Sequence, residues 1–480
     1  MPYIIKKSKT LIEILKGKVD YDLQGRDHGR YTILGSPKRI SRILIHGATF
    51  IITVDQKDKL KVLPRRSVYI VNGKIKDVFP INKKSIPLNK IDLIYDASKR
   101  GGIVITPGFI NAHAHPPMYI LRSSMTLDKG DIENQVKKMA ELEAKMADKD
   151  FFLGAVGDLT EEQKHGITTT FSHYAVFEAV EKAALLTKQN VINAVSAVSN
   201  SHPKNNVAMV KKILKNKNKY YSKPAIAIHY LHKADNAELK KIKKLIKKYK
   251  VLFTCHSAET KDWVISNIKK FGNRTIESLV ELGLANSYTL LSHAVHLSDE
   301  EIKLVKKYKI GIVHLPTSNK LHKSGEFRYP EFVEFGAEKQ ICLGTDSVIS
   351  KNSLDLLSEA LQTRITHLHR YRVLYEELFK MMTSRPAQIL KLGKVGRILP
   401  GYQADLAFWK LKDRGFLPYN EFKPLSLVGN MITHGGRNIR DLMIRGEFII
   451  SNRIHNLINE SQLLINLQEI HMKLRKRLGE

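Results

Sequence analysis

The sequence predicts a (β/α)8 barrel of TIM type together with a small β-sandwich domain built from its N- and C-terminal segments. Three observations carry this. From residue 100 onward, eight short apolar runs rich in β-branched residues alternate with longer amphipathic stretches, and strand–helix alternation implies parallel strands joined by crossover helices. No GxGxxG follows any of the runs, which disfavours a doubly wound open sheet. The flanks read instead as alternating β segments. The chain has 480 residues, 43% hydrophobic and 26% charged. A globular chain of this size buries about three-quarters of its surface, enough core for a barrel and an accessory domain.

Taken in order, residues 1–38 read as an N-terminal extension. Met1 to Lys18 is basic and weakly amphipathic; it lacks the continuous apolar core and cleavage site of a secretory signal, and the arginines of a transit peptide. Residues 39–106 form the first part of the small β domain. There ILIHGATFIITV and SVYIVNGKIKDVF alternate in polarity, with an Asn72-Gly73 hairpin signal in the second. The barrel covers 107–397. Its eight strands are GFINAHAH (108–115), GITTTFSH (166–173), VINAVSAV (191–198), AIAIHY (225–230), VLFTCHSA (251–258), YTLLSHAV (288–295), IGIVHLPT (310–317) and ICLGTDS (341–347). Amphipathic stretches such as Glu300–Tyr308 and Tyr329–Lys339 supply helices between them. Residues 398–455 return to the β domain through ADLAFW and DLMIRGEFIIS, turning at Gly446. Residues 456–480 read as a C-terminal helix whose basic end suits the helix dipole.

The net charge of +32 raises nucleic acid or an anionic membrane as partners. The lysines, however, concentrate in 211–219 and 240–250. In KKIKKLIKKYK, Ile242, Leu245, Ile246 and Tyr249 fall at helical spacing, which makes one buried stripe with a lysine-coated solvent face. Neither nucleic acid nor membrane is therefore expected as a partner. No run of eighteen apolar residues exists to cross a membrane. The two cysteines, Cys255 and Cys342, sit inside apolar runs, as buried reduced thiols of a cytoplasmic protein would.

Barrel active sites form at the C-terminal ends of the strands. Those ends carry His113 and His115, His173, His229, His256, His293, His314 and Asp346. Positions 113 and 115 share one face of a strand, so their imidazoles converge. With His256 and Asp346 they make three nitrogens and one carboxylate, a set that fits one catalytic divalent ion, Zn2+ first and Fe2+ as the alternative. Asp346 would double as the base that takes the proton of a metal-activated water. Glu259, three residues after His256, reads either as a general acid with a raised pKa or as a carboxylate serving a helix N-terminus. His293 reads as an orienting group for water, with His296 starting the next loop, while His173 and His314 read as rim residues of the barrel.

The segments TPGFINAHAHPPMYILR, CHSAET, LLSHAVHLSDEEI, HLPTSNKLHKSG and GTDSVISKNSLDLLSEA strongly resemble the amidohydrolase superfamily. The resemblance is to the branch containing methylthioadenosine/S-adenosylhomocysteine deaminases, cytosine-deaminase-like enzymes and triazine hydrolases. It covers about residues 40–460, including GRILPGYQADLAFW. It implies that His113, His115, His256 and Asp346 ligate one metal ion, that Glu259 shuttles protons, and that His293 orients the hydrolytic water. By the same resemblance His229, Glu143 and Asn319 contact substrate, and a homodimer is expected. Three departures stand out. YLHKAD follows His229 in place of a Pro-Tyr turn, Ser347 follows Asp346 in place of glycine, and VINAVSAV lacks an arginine for an amino-acid carboxylate.

The expected function is therefore hydrolysis of a carbon–nitrogen bond. The reaction expected is deamination of a small heterocycle, a purine, pyrimidine or related base or nucleoside, by attack of metal-bound hydroxide. Hydrolysis of a cyclic amide or a halogenated triazine-like ring is the alternative. A catalytically idle basic binding protein is a remote third.

Overall fold

A computed structural model of the chain describes residues 30–34, 39–83, 86–99, 101–123, 132–198, 205–351 and 353–477. The Met1–Lys18 segment lies outside them. The described chain divides into two compact units, each with its own core.

The first unit is built from residues up to Phe109, from Glu162–Thr168, and from Leu392–Leu463. Its strands before the barrel are β1 (Tyr31–Ile33), β2 (Arg42–Val54), β3 (Leu60–Val71), β4 (Lys74–Pro80), β5 (Leu93–Asp96) and β6 (Ile103–Pro107). The long β2 pairs antiparallel with β3 and parallel with β5 and β6. The Asn72-Gly73 hairpin joins β3 to β4, and both residues take the positive φ that such a turn requires, 49° and 73°. The three residues of β1 fall within the stretch read as an extension, yet they pair with β5; a Tyr-Thr-Ile triplet is too short to show alternation.

The second unit is the barrel. Its eight parallel strands are β7 (Phe109–Ala114), β8 (Ile167–Tyr174), β9 (Asn190–Ser196), β10 (Lys223–Tyr230), β11 (Phe253–Ser257), β12 (Thr289–His293), β13 (Gly311–His314) and β14 (Ile341–Leu343), in sequential order around the sheet. They coincide with the eight runs read from the sequence. Strands wrapped by helices on the outside are buried on both faces, and β7, β8, β11, β12, β13 and β14 are buried at every residue. The ring is nearly closed by a parallel bridge between Ala114 and Asp346, where the carbonyl of His113 accepts the amides of Thr345 and Asp346 at 3.1 and 3.0 Å. Gly344 makes this approach possible. A Cβ there would lie 2.9 Å from both the nitrogen and the oxygen of His113.

The lysine-rich helix Asn236–Tyr249 buries Leu239, Ile242, Leu245 and Ile246, and Asp235 and Glu238 close a capping box at its start. Its lysines face solvent. After the barrel come β15 (Leu406–Lys410), β16 (Ile439–Ile444), β17 (Glu447–Ser451) and β18 (Ile454–His455), which complete one ten-stranded mixed sheet in the first unit. Its core gathers Ile43, Ile45, Val68, Tyr95, Leu406 and Phe408, all at most 2% exposed. The terminal helix runs Glu460–Arg477, and its residues from Leu464 on belong to the barrel unit. Among the described residues no helix is long and apolar enough to cross a membrane.

Candidate active site

The C-terminal ends of the barrel strands bring the histidines together. His113 and His115, two apart at the end of β7, present their Nε2 atoms to each other at 3.1 Å with rings at 90°. His256 ends β11 with its ring 5.1 Å from that of His113 and 5.5 Å from that of His115. Asp346 projects Oδ1 to 3.2 Å from His115 Nε2 and 3.8 Å from His113 Nε2. All four residues are buried.

The hydrogen bonds on the far side of each ring decide its tautomer. His115 Nδ1 donates to the carbonyl of His173 at 2.7 Å, and His256 Nδ1 donates to the carbonyl of His229 at 3.0 Å. A carbonyl only accepts, so each Nδ1 carries the proton and each Nε2 is left a bare lone pair. His113 Nδ1 meets Ser292 Oγ at 2.9 Å. Burial holds the pKa values of His113 and His256 well below the ordinary imidazole range, with the neighbouring histidines adding to the effect. Burial alone would raise the pKa of Asp346, but the histidines that face it, His115 foremost, drive it well below the usual carboxylate range. Neutral imidazole nitrogens turned inward beside an ionised carboxylate form the donor chemistry a divalent cation requires. Two overlapping trios have ligand atoms close enough to share an ion, His113–His115–Asp346 and His113–His173–His256.

The second trio changes the reading of His173. It is 4% exposed and stacks on His256 at 4.7 Å, and among the described residues its Nδ1 has no hydrogen-bond partner. This is a member of the cluster, not a rim residue. His314 fits its reading better. It stacks on Phe327 at 4.3 Å and meets His367 Nε2 at 3.3 Å, outside the lining of the cavity.

Glu259 had two readings, and the local geometry separates them. The helix that follows starts at Lys261 and is capped by the Thr260 side chain, which accepts the Trp263 amide, with Asp262 in its first turn. The dipole is already served. Glu259 instead turns inward, 3% exposed, with Oε2 3.4 Å from His293 Nε2 and 3.4 Å from the Tyr230 hydroxyl. Burial raises its pKa well above the usual value, and the negative charge of Asp346 raises it further.

His293 ends β12 in a left-handed conformation, φ 67°, and Asp346 has φ 59°. Two non-glycine residues held in this sparsely populated region at one site are the backbone strain expected where side-chain aim matters. His293 Nδ1 donates to Asn319 Oδ1 at 2.8 Å, and burial lowers its pKa to about 4. Asn319, expected at the substrate, therefore sits behind His293 and does not line the cavity. His296 is drawn away, its Nε2 against the carbonyl of Ser324 at 2.6 Å.

Over the cluster opens a cavity of about 290 Å³, whose walls include His115, His256, Glu259, His293 and Asp346. Glu143 and His229 also line it. Glu143 is hydrogen-bonded to the Tyr174 hydroxyl, and burial raises its pKa. Burial lowers that of His229 to about 3. The cavity also takes in Lys233, His322, Ser347 and Ser350, the first from YLHKAD and Ser347 from the other departure beside Asp346.

A family model described as the amidohydrolase family matches residues 104–449. A 5-methylthioadenosine/S-adenosylhomocysteine deaminase from Pyrococcus furiosus is 31% identical over 414 residues, covering 83% of this chain and 94% of its own. An adenosine deaminase from Xanthomonas campestris, solved with bound zinc, superposes with a TM-score of 0.83 at 20% identity, covering 91% of this chain and 99% of its own. An atrazine chlorohydrolase from Arthrobacter aurescens, solved with zinc, gives a TM-score of 0.79 at 20% identity, covering 89% and 100%. With the family model matched across the whole barrel, the chain belongs to the amidohydrolase family and is a hydrolase of carbon–nitrogen bonds.

Proposed function

We propose that the protein is a zinc-dependent aminohydrolase that removes the amino group from a small aminated heterocycle, a purine or pyrimidine base or its nucleoside. The observation that carries this is Glu259, a buried carboxyl with a raised pKa, in the wall of the cavity that also exposes His115, His256 and Asp346. A carboxyl whose proton is held more tightly than usual can give it to a ring nitrogen, which deamination requires and simple amide positioning does not. The deaminase relatives support the same reading.

His113, His115, His256 and Asp346 would hold the ion. Bound there, Zn2+ supplies a water acidified to near neutrality and a polarising charge. Asp346, kept ionised, takes the proton from the attacking water. His293, neutral and fixed by Asn319, turns Nε2 to that water and orients it. Glu259 protonates the ring nitrogen next to the carbon under attack, and the amino group leaves as ammonia after proton return. His229 and Glu143 hold the remainder of the substrate against the cavity wall. The two free cysteines, both buried, support a cytoplasmic location.

The test is ammonia release by Zn2+-loaded protein from a panel of aminated purines, pyrimidines, pterins and their nucleosides, with Glu259→Gln as the blank. Release by the wild type alone sustains the proposal. Release of halide or a ring-opened acid, without ammonia, would replace it with ring hydrolysis.

A further inference from the structure

Asp346 uses its two oxygens differently. Oδ1 faces His115 and His113, while Oδ2 is taken by two hydroxyls, Ser318 Oγ at 2.6 Å and Ser350 Oγ at 3.3 Å. The two serines come from different short helices, Pro316–Leu321 after β13 and Val348–Lys351 after β14. Each has a chain neighbour engaged in the same buried ion pair. Lys351, next to Ser350, contacts Glu359 Oε1 at 2.5 Å, with side chains 2% and 1% exposed. Thr317, next to Ser318, donates its amide to Glu359 Oε2 at 3.2 Å. Glu359 lies on the helix Leu356–His367 and does not line the cavity.

An ion pair this dry contributes little net stability, because desolvation offsets its attraction. What it can supply is geometric definition. A carboxylate with one oxygen on an ammonium and the other on a backbone amide fixes the two short helices at one distance. Here that distance sets both hydroxyls on Oδ2 and leaves Oδ1 to face the imidazoles. We propose that Lys351 and Glu359 are positioning residues that hold Ser318 and Ser350 on Asp346 Oδ2, and so aim Oδ1 at the metal position. The inference rests on the metal site of the proposed aminohydrolase, but not on its substrate.

The experiment is Zn2+ affinity by chelator competition on the full chain, with thermal melts as the check on folding. Replacing both charges together, K351M/E359L, avoids stranding one of them. It should weaken Zn2+ binding about 10- to 100-fold, the usual cost of losing an outer partner of a ligand. K351M/E359Q keeps only the Ser318 half of the arrangement, because its amide oxygen still accepts the Thr317 amide, and should recover part of the affinity. In a protein carrying S318A and S350A, which is itself weakened, adding K351M/E359L should cost less than a further ~3-fold, since coupled groups are not additive. Wild-type affinity in K351M/E359L, or an undiminished loss in the serine-free background, would overturn the proposal. If K351M/E359L does not fold, the other two decide it. An intermediate loss in K351M/E359Q with a weakened S318A/S350A protein supports the clamp, and wild-type affinity in either one refutes it. Wild-type protein that binds Zn2+ yet releases no ammonia removes the deaminase reading and leaves the clamp intact.

Discussion

Ser292 Oγ lies 2.9 Å from His113 Nδ1, so His113 is held by a side chain where His115 and His256 are held by backbone carbonyls. A hydroxyl can be removed without disturbing the fold, and a carbonyl cannot. Ser292→Ala should therefore loosen one ring alone. We expect Zn2+ affinity to fall about 10-fold, at the low end for lost outer partners, with the melting temperature nearly unchanged. Chelator competition reads the first and calorimetry the second.

Glu259→Gln keeps the shape of the buried carboxyl but cannot exchange the proton. Its turnover should fall by about 10²- to 10⁴-fold, the usual range for a general acid, with KM and metal content close to wild type. A loss confined to KM would mean that Glu259 only binds.

Gly344→Ala drives a methyl to within 2.9 Å of the His113 backbone, with Val313 Cγ1 equally close. Neither backbone can yield without opening the Ala114–Asp346 bridge. We expect about 1–3 kcal/mol of destabilisation from overpacking and a larger loss of metal affinity than Ser292→Ala gives, because Asp346 moves with the bridge. Denaturant melts of loaded and metal-free protein would separate the two effects.

Acid sensitivity should arise in the sheet unit as well. His455 is buried; its Nδ1 accepts the amides of Leu457 and Ile458 at 3.1 Å each, and its Nε2 donates to Gln163 at 2.8 Å. Burial, aided by the Lys164 charge, lowers its pKa to about 3. The unfolded chain binds this proton near pH 6.5 and the folded chain does not. Its contribution is therefore full above pH 6.5 and is lost as the pH falls toward 3, at roughly 1.4 kcal/mol per unit. Urea midpoints measured from pH 7 to pH 5 should drop less steeply in His455→Asn than in wild type.

The barrel was legible because each strand is a continuous β-branched run, and the histidines were legible because they stop those runs. HxH spacing on β7 alone places two rings on one face, and no long-range information is needed. The misread residues are those whose partner comes from another strand. Nothing in the spacing of Asn319 announces that it meets His293, 26 positions away. His173 looked peripheral because its neighbour is His256, three strands further round. Thr317, Lys351 and Glu359 lie inside quoted motifs, but nothing in those motifs marks them as partners; they matter through the serines beside two of them. Glu259 was readable to within two alternatives, and Thr260 at the helix start settled which way it turns.

Three imidazole nitrogens and one carboxylate oxygen are hospitable to most first-row divalent ions, and the tendency of such a set is to favour copper over zinc and zinc over iron. Nothing in the His113–His115–Asp346 arrangement excludes the tighter-binding competitor by size or charge. The ion carried by a purified sample should thus record the culture medium and the affinity resin as much as the polypeptide. Two preparations of identical sequence would then differ in turnover until each is stripped and reloaded with a defined salt.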